Sequence, residues 1–278
     1  MWRLDRLSIS ESVLVAPLPL QNRSSITDLL ASVTPDEIYY LAGPSSVAAS
    51  FLDPAGSVEK IYQPVVDFLE VLRTNHSDIK FFNAASTDCF GNQADTSLME
   101  QSQQRPVSPY GIAKSAAFWA AKNYREAFGV QAASGILTNH ESPLRDPGFF
   151  SRRVITGLRK VSQGLQRTIT LGNLNGGRDW LWAGDAVEAI HLIGSATIRD
   201  DYLVGSGRTS TLRNFVATAC DALGLDIDEV VEYDAGLARP LDVESVALDP
   251  TKISSSLGWK ATMDLEQIID RLLGENLN

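Results

Sequence analysis

Three segments rich in apolar residues, at 38–42, 79–84 and 130–137, limit the fold of this chain more than any other feature, and the first of them is uninterrupted. Strands of a parallel sheet are rich in apolar residues because helices cover both of their faces. Stretches with apolar residues at helical spacing lie between these segments, the longest at 58–72. This alternation predicts an α/β fold with a doubly wound parallel sheet and right-handed crossovers.

Weaker patterns predict further elements on either side of these segments. Residues 13–16 read as an edge strand, because Pro17 and Pro19 follow and lack the N–H groups that a central strand uses. Pro64 is expected either to bend the helix at 58–72 or to mark its start. Helices are also predicted at 26–33, 110–124, 149–161, 185–193, 211–223 and 265–273, and a short strand at 168–171.

Composition and charge exclude several classes of function. The chain has 278 residues and a formal net charge of -10, which argues against nucleic acid as a partner because nucleic-acid binding needs a basic surface. Cys89 and Cys220 lie far apart, which is typical of free thiols in a reducing compartment. The three histidines are not clustered, so no metal site is expected. The absence of a signal peptide or a long apolar run indicates a cytoplasmic protein with no membrane partner.

Tyr110 and Lys114 begin a predicted helix and carry the first candidate chemistry. Residues four apart lie on one helix face, and an ammonium group there favours the phenolate form of the tyrosine. A phenol of lowered pKa can act as a general base near neutral pH. The alternative interpretation is an ordinary helix in which Tyr110 is half-buried and Lys114 is solvated.

A second candidate group follows the strand predicted at 79–84. Ser86, Thr87 and Asp88 place two hydroxyl groups and a carboxylate just beyond that strand. Open α/β sheets bind their ligands at the carboxyl edge, so these side chains are expected to face a ligand. The alternative interpretation is that Asp88 caps a turn and that the two hydroxyl groups serve only turn chemistry.

These segments together resemble the extended short-chain dehydrogenase/reductase superfamily, and within it the nucleotide-sugar 4,6-dehydratases, above all the GDP-mannose 4,6-dehydratase family. One matching segment departs from the family pattern, because Thr138 replaces the usual Phe. The resemblance runs from about residue 2 to the C-terminus. It is carried by residues 81–91, 108–114, 135–145, 171–180 and 239–244.

The resemblance implies an enzyme with two parts and a defined reaction. Residues 1–142 would form a Rossmann-like domain, and residues 143–278 would mainly bind substrate and be partly interleaved with the sheet. The reaction would convert GDP-mannose to GDP-4-keto-6-deoxymannose and water, with transient hydride transfer to NADP. Family habit also implies a homo-oligomer.

The resemblance also assigns roles to the candidate residues. Tyr110 would take the proton of the sugar 4-hydroxyl, and Lys114 would lower the Tyr110 pKa and hold the nicotinamide ribose. Asp88 would remove the C5 proton, while Ser86 binds the 4-hydroxyl and Thr87 assists the leaving hydroxyl. Other matched positions would bind the diphosphate sugar (Asn139, Arg153, Arg178, Arg239 and Asp242) or the cofactor (Leu41, Ala42 and His140, with Tyr110 and Lys114).

One expected segment is missing. The family binds its cofactor pyrophosphate at a glycine-rich turn between a first strand and a helix, and no such turn occurs here. Without that first strand, one side of the strand at 38–41 is expected to lack its usual partner. Three explanations stay open: the chain starts at an internal Met, it has lost the cofactor, or it binds NADP at a rearranged or domain-swapped site.

Two departures favour loss of the cofactor. Residues 42–45 differ from the family's Ala-Ala-Gln-Ser beside the nicotinamide, and Asp88 is one methylene shorter than the family's Glu. A non-catalytic protein that binds a nucleotide sugar is therefore the main alternative function. A sugar-nucleotide epimerase or reductase fits less well, because epimerases of this superfamily have no acid at the position of Asp88.

Overall fold

The computed structural model describes residues 2–19, 22–93, 97–237, 241 and 243–274. Every helix among these residues is too short or too polar to cross a lipid bilayer. The helices are α1 (Trp2–Arg6), α2 (Arg23–Val33), α3 (Val47–Leu52), α4 (Pro54–Asn75), α5 (Pro109–Phe128), α6 (Phe150–Ser162), α7 (Ala183–Ser195), α8 (Leu212–Ala222), α9 (Ile227–Val230), α10 (Thr251–Leu257) and α11 (Leu265–Gly274). The strands are β1 (Glu37–Tyr40), β2 (Lys80–Ser86), β3 (Ser97–Leu98), β4 (Ala132–Leu137), β5 (Asn139–Glu141), β6 (Ile169–Leu171), β7 (Gly177–Trp182), β8 (Tyr202–Val204), β9 (Thr209–Thr211), β10 (Val231–Tyr233) and β11 (Ala247–Leu248).

A four-stranded parallel sheet organises the N-terminal half. Its order is β1-β2-β4-β8, and every neighbouring pair is parallel. The α/β fold with a parallel sheet that the sequence predicts is therefore confirmed. Among the described residues β1 pairs with β2 alone, which agrees with the expected unpaired edge.

Consecutive phenylalanines of β2 explain why helices cover both faces of this sheet. Side chains alternate along a strand, so Phe81 and Phe82 point to opposite faces. Phe81 packs in a core with apolar residues of α2, α4 and α5, whereas Phe82 packs with residues of α7. Both rings are fully buried, and each therefore stabilises the packing of the helices on its own face of the sheet.

The C-terminal half has a second core. Strands β5, β7 and β9 form a small sheet, and α6, α8 and α11 pack around it. Trp180 of β7 and Phe215 of α8 lie at its centre, with ring centroids 4.6 Å apart. Strand β8 comes from this half of the chain but pairs with β4 of the large sheet. The boundary between residues 142 and 143 stays a prediction.

The irregular stretch before Pro109 connects the two halves. Its short strand β3 pairs in parallel with β11, and Asn92 Oδ1 accepts a hydrogen bond of 2.7 Å from the Glu244 N–H. Glu100 Oε1 accepts a further one, of 2.8 Å, from the Leu203 N–H. This stretch therefore helps to hold the C-terminal half against the sheet edge at which the candidate residues lie.

The edge strand predicted before Pro17 is wrong, and so is the alternative that the helix starts at Pro64; a bend at Pro64 stays a prediction. Residues 13–16 form no strand, because they have no strand beside them among the described residues and the prolines that follow cannot donate hydrogen bonds. Helix α4 passes through Pro64 and begins at Pro54, where Asp53 caps it by accepting a hydrogen bond of 3.0 Å from the Gly56 N–H. Tertiary packing retains Pro64 inside the helix, since its side chain is buried.

Candidate active site

The carboxyl end of β2 runs directly into a tight 3-10 turn, Thr87–Cys89. Ser86 caps this turn: its Oγ accepts a hydrogen bond of 3.2 Å from the Asp88 N–H and donates one of 3.0 Å to Asp88 Oδ2. Thr87 is buried within the turn, whereas Asp88 is partly exposed. The local sequence therefore holds a carboxylate beside a hydroxyl group at the carboxyl edge of the sheet.

The first turn of α5 brings Tyr110 to the same place. Ser108 caps the helix by accepting a hydrogen bond of 3.0 Å from the Gly111 N–H, and Pro109 occupies its first position. Gly111 permits a close approach, because a Cβ at this position would lie 2.7 Å from the Asp88 carbonyl oxygen. The Tyr110 side chain is consequently 9% exposed and close to Ser86 and Asp88.

The surroundings of Tyr110 make its phenol harder to ionise. Burial raises its pKa above the usual range, and the negative charge of Asp88 raises it further. A hydrogen bond with Ser86 and the positive charge of Arg145 act in the opposite direction. The net shift of the Tyr110 pKa is upward, opposite to the expected lowering, because burial is its largest cause; the effect of Lys114 on this phenol stays a prediction.

Lys114 lies one turn along α5 and is buried rather than solvated. Its Nζ donates a hydrogen bond of 2.7 Å to the Ala84 carbonyl oxygen of β2 and lies 5.9 Å from the centroid of the Tyr110 ring. Burial lowers the pKa of this ammonium group to about 8, although the neighbouring Cys89 opposes the shift. Lys114 therefore ties the helix to the sheet beneath the tyrosine.

Strand β5 carries two further candidate residues, Asn139 and His140. Asn139 is partly exposed and pairs with Trp180 in the parallel register of β5 and β7. His140 Nδ1 lies 2.9 Å from the Thr138 carbonyl oxygen. Although part of His140 reaches solvent, the protein around the ring lowers its pKa, and the charge of Arg145 adds to this effect.

Sequence reasoning missed Arg145 and Glu141. Arg145 acts electrostatically on both Tyr110 and His140, and it pairs with the buried carboxylate of Glu141. A signal was present, because both residues fall within the segment 135–145 that carries the family resemblance. Only their positions in space connect them to the tyrosine.

The residues expected to bind a diphosphate sugar are placed less uniformly. Arg178 is partly buried on β7 and donates hydrogen bonds to the carbonyl oxygens of Gly177 and Val243, at 2.8 and 2.7 Å. Arg153 is exposed on α6. Arg239 and Asp242 lie outside the described residues. Among the described residues no group of His, Cys, Asp and Glu could hold a metal ion.

Only part of a dinucleotide site can be identified. Leu41 and Ala42 follow β1 at the carboxyl edge of the sheet and are exposed, Leu41 by 55%. In the described residues the turn from β1 to α3 contains a single glycine, Gly43, and Ser46 already caps α3. No backbone of this turn is left as a glycine-rich cradle for a pyrophosphate. Among the described residues this turn therefore offers no glycine-rich site for the pyrophosphate of NADP, and the contacts of Leu41 and Ala42 with its nicotinamide stay a prediction.

Comparison with known proteins gives a consistent result. A family model described as GDP-mannose 4,6 dehydratase matches residues 2–272. GDP-mannose 4,6 dehydratase 1 of Arabidopsis thaliana is 36% identical over 93% of this chain and 72% of its own length. GDP-mannose 4,6-dehydratase of Vibrio cholerae is 30% identical over 93% of this chain and 77% of its own length.

Solved structures agree on the fold. RMD from Pseudomonas aeruginosa, complexed with NADPH, superposes with a TM-score of 0.83 at 22% identity, covering 96% of this chain and 92% of that one. The dTDP-glucose 4,6-dehydratase DesIV from Streptomyces venezuelae, with NAD and TYD bound, gives a TM-score of 0.80 at 21% identity, covering 92% and 78% of the two chains. At these identities the likeness concerns the fold alone.

Proposed function

Since this chain belongs to the GDP-mannose 4,6-dehydratase family, we propose that it is a nucleotide-sugar 4,6-dehydratase that acts on GDP-mannose. The observation that carries the proposal is the meeting of Ser86, Asp88 and Tyr110 at one edge of the sheet. A dehydratase needs a proton acceptor for the sugar 4-hydroxyl and a separate carboxylate for C5. Sugar-nucleotide epimerases need no such carboxylate, so Asp88 favours the dehydratase.

Each residue has a defined part in the proposed reaction. Tyr110 exchanges a proton with the sugar 4-hydroxyl while Ser86 hydrogen-bonds that hydroxyl. Asp88 removes the proton from C5 once C4 is a ketone, and Thr87 assists the departure of the C6 hydroxyl as water. Bound NADP would supply the acceptor for the C4 hydride and the donor of that hydride to C6, so the net change is redox-neutral: C4 is oxidised and C6 is reduced.

The diphosphate of the substrate calls for positive charge. Arg178 and Arg153 belong to the C-terminal half, and guanidinium groups bind phosphate oxygens in pairs of hydrogen bonds. Asn139 would bind the sugar–phosphate region. Arg239 and Asp242, outside the described residues, complete the proposed substrate site, the latter near the nucleoside.

NADP is the cofactor that the resemblance implies, and Leu41, Ala42, His140, Tyr110 and Lys114 are the residues proposed to face its nicotinamide end. The pyrophosphate end lacks a matching cradle among the described residues. This observation favours a second candidate function, a non-catalytic protein that binds the nucleotide sugar without NADP.

One experiment separates the two candidates. The purified chain is incubated with GDP-mannose and NADP, and the 4-keto-6-deoxy product is measured by NMR, while GDP-mannose binding is measured by calorimetry. The dehydratase predicts conversion that Tyr110→Phe abolishes. Tyr124→Phe is the matched control, because Tyr124 lies at the far end of the same helix and bonds Glu70. Binding without conversion would support the second function, and absence of binding would reject both.

A homo-oligomer and a cytoplasmic location are part of the same proposal. The unpaired edge of β1 in the described residues supports association, because open strand edges tend to be covered. Two buried free cysteines support a reducing compartment. Light scattering coupled to size-exclusion chromatography tests the first point, and a single monomeric mass would contradict it.

A further inference from the structure

A buried acid holds the cation that acts on the Tyr110 phenol. We propose that Glu141 is a positioning residue: by pairing with Arg145 it fixes the guanidinium group against the His140 carbonyl oxygen, within electrostatic range of the Tyr110 and His140 side chains. The position of Arg145 can be tested without any conversion of substrate. Its consequence for catalysis rests on the proposed function.

Glu141 is placed to act as an anchor. It ends β5, is 1% exposed, and uses both carboxylate oxygens: Oε1 accepts from Arg145 Nη1 and Oε2 accepts from the hydroxyl of Ser151 in the first turn of α6. Burial raises the pKa of Glu141, while Arg145, Ser151 and Arg152 oppose the rise. A buried charge is costly unless it is paired, so the carboxylate has a strong preference for the guanidinium group at this position.

The other contacts of Arg145 come from the same stretch of chain. Nη1 also donates a hydrogen bond of 2.9 Å to the His140 carbonyl oxygen, and Cζ lies 4.2 Å from the centroid of the Phe149 ring. An exposed guanidinium group samples many rotamers, whereas one fixed by a carboxylate, a carbonyl and a ring has a defined position. Of these three, the carboxylate is the strongest partner.

The guanidinium group of Arg145 acts on Tyr110 and His140 through its positive charge. It lowers the pKa of both Tyr110 and His140. Asp88 and Cys89 raise the Tyr110 pKa and the hydrogen bond with Ser86 lowers it. The ammonium group of Lys114 is engaged by the Ala84 carbonyl oxygen. If Arg145 left its place, Tyr110 would lose a charge that favours the phenolate and would become a weaker base.

His140 is a direct reporter of the Arg145 position. The chain has three histidines, His76, His140 and His191, so the imidazole titrations can be resolved by NMR with the other two as internal references. Glu141→Gln and Arg145→Gln are both expected to raise the His140 pKa, and the double variant should raise it no further than Arg145→Gln. Removal of a negative charge by itself cannot raise the pKa of a neighbouring imidazole, so the sign identifies displacement of Arg145.

The catalytic consequence is measured separately. In both variants the rise of kcat/KM with pH should move to higher pH, and kcat/KM at pH 7 should fall by about tenfold, the effect of one pKa unit. If the wild-type chain does not convert GDP-mannose, the proposed function fails, and the His140 titration still decides the positioning.

Asp201→Asn is the matched control. It breaks the Arg125–Asp201 pair, which is similarly buried, measures 2.6 Å and joins the last part of α5 to the start of β8. This variant should lose stability and leave the His140 pKa unchanged. If Glu141→Gln does not fold, Glu141→Asp replaces it, because the shorter acid cannot reach Arg145 and Ser151 together. A folded variant at position 141 with an unchanged His140 pKa would overturn the proposal.

Discussion

Tyr110 and Asp88 are two acidic groups of the candidate site, and the charge of Asp88 affects the ionisation of Tyr110. The negative charge of Asp88 raises the pKa of Tyr110, so an ionised Asp88 favours the protonated phenol. Two acids whose surroundings separate their pKa values are suited to two different proton transfers in one reaction. The partly exposed carboxylate is the stronger acid of the two, so it is the group ready to accept the C5 proton at neutral pH.

Asp88→Asn should therefore separate electrostatics from catalysis. The substitution removes a negative charge and lowers the Tyr110 pKa, yet conversion of GDP-mannose is expected to fall by about 10²–10⁴-fold because the C5 base is gone. Initial rates measured by NMR test this, with the exposed Asp78→Asn as control. Undiminished conversion by Asp88→Asn would assign the C5 proton to another group.

Lys114 makes stability depend on alkaline pH. Burial lowers its pKa from 10.5 to about 8, so between these values the unfolded chain binds a proton that the folded chain does not. The free energy of unfolding should rise as pH increases from about 8 to 10.5, by at most about 3 kcal/mol. Lys114→Met lacks this titration, so urea denaturation should show its advantage over the wild type shrinking across that window. A constant difference would mean that the ammonium group is not buried.

At the scale of elements, the site depends on how α5 meets the turn that follows β2. Helix α5 places Gly111 against the Asp88 carbonyl, and the Lys114 ammonium group binds the carbonyl oxygen of Ala84, two residues before Ser86 on β2. The first two turns of the helix therefore pack against β2 and the turn that follows it. This contact sets the separation between the phenol and the carboxylate.

Gly111→Ala should disturb this contact. The added Cβ would lie 2.7 Å from a backbone oxygen, so the helix must shift, at an expected cost of about 1–3 kcal/mol. Gly194→Ala, on α7, is the control, because its Cβ would meet the Tyr39 ring of β1, close to the Lys80–Ser195 contact at the opposite edge of the sheet. Thermal unfolding should register both variants, whereas loss of GDP-mannose conversion should follow only Gly111→Ala. Equal activity losses would count against the role of this contact.

At the scale of the whole molecule, the two halves differ in what they offer a ligand. The C-terminal half carries the arginines proposed to bind a diphosphate sugar, and β3, paired with β11, holds it near the sheet edge. The described part of the sheet offers no comparable cradle for a second diphosphate. A nucleotide sugar and a dinucleotide should therefore bind with unequal strength.

Ligand-induced stabilisation measures this inequality. At a concentration of 100 times its Kd, GDP-mannose should add about 2.7 kcal/mol to the free energy of unfolding and raise Tm accordingly. NADP at the same concentration should raise Tm less, because only its nicotinamide end has residues to meet. The measurement is a thermal melt with each ligand alone and with both. A larger shift from NADP than from GDP-mannose would refute the assignment of the stronger site.

Local signals were sufficient for much of this protein. The segments rich in apolar residues predict the parallel strands because both faces of such strands are buried, as the adjacent Phe81 and Phe82 show. Ser108 and Pro109 mark the start of α5, and Ser86 caps the turn that holds Asp88, because caps act over two or three residues. The strands β1, β2, β4 and β6, the longer helices and the positions of Ser86, Asp88 and Tyr110 on these elements could therefore be predicted.

Tertiary structure alone decided the properties that depend on neighbours distant in sequence. The pKa of Tyr110 is raised rather than lowered because burial and Asp88 outweigh Ser86 and Arg145, and no local pattern contains that balance. Pro64 stays inside a helix because packing retains it. The amino-acid sequence by itself determined which residues could do chemistry and on which elements they lie. Their protonation and their mutual approach were decided by packing, because electrostatic energies depend on burial and distance in space and not on separation along the chain.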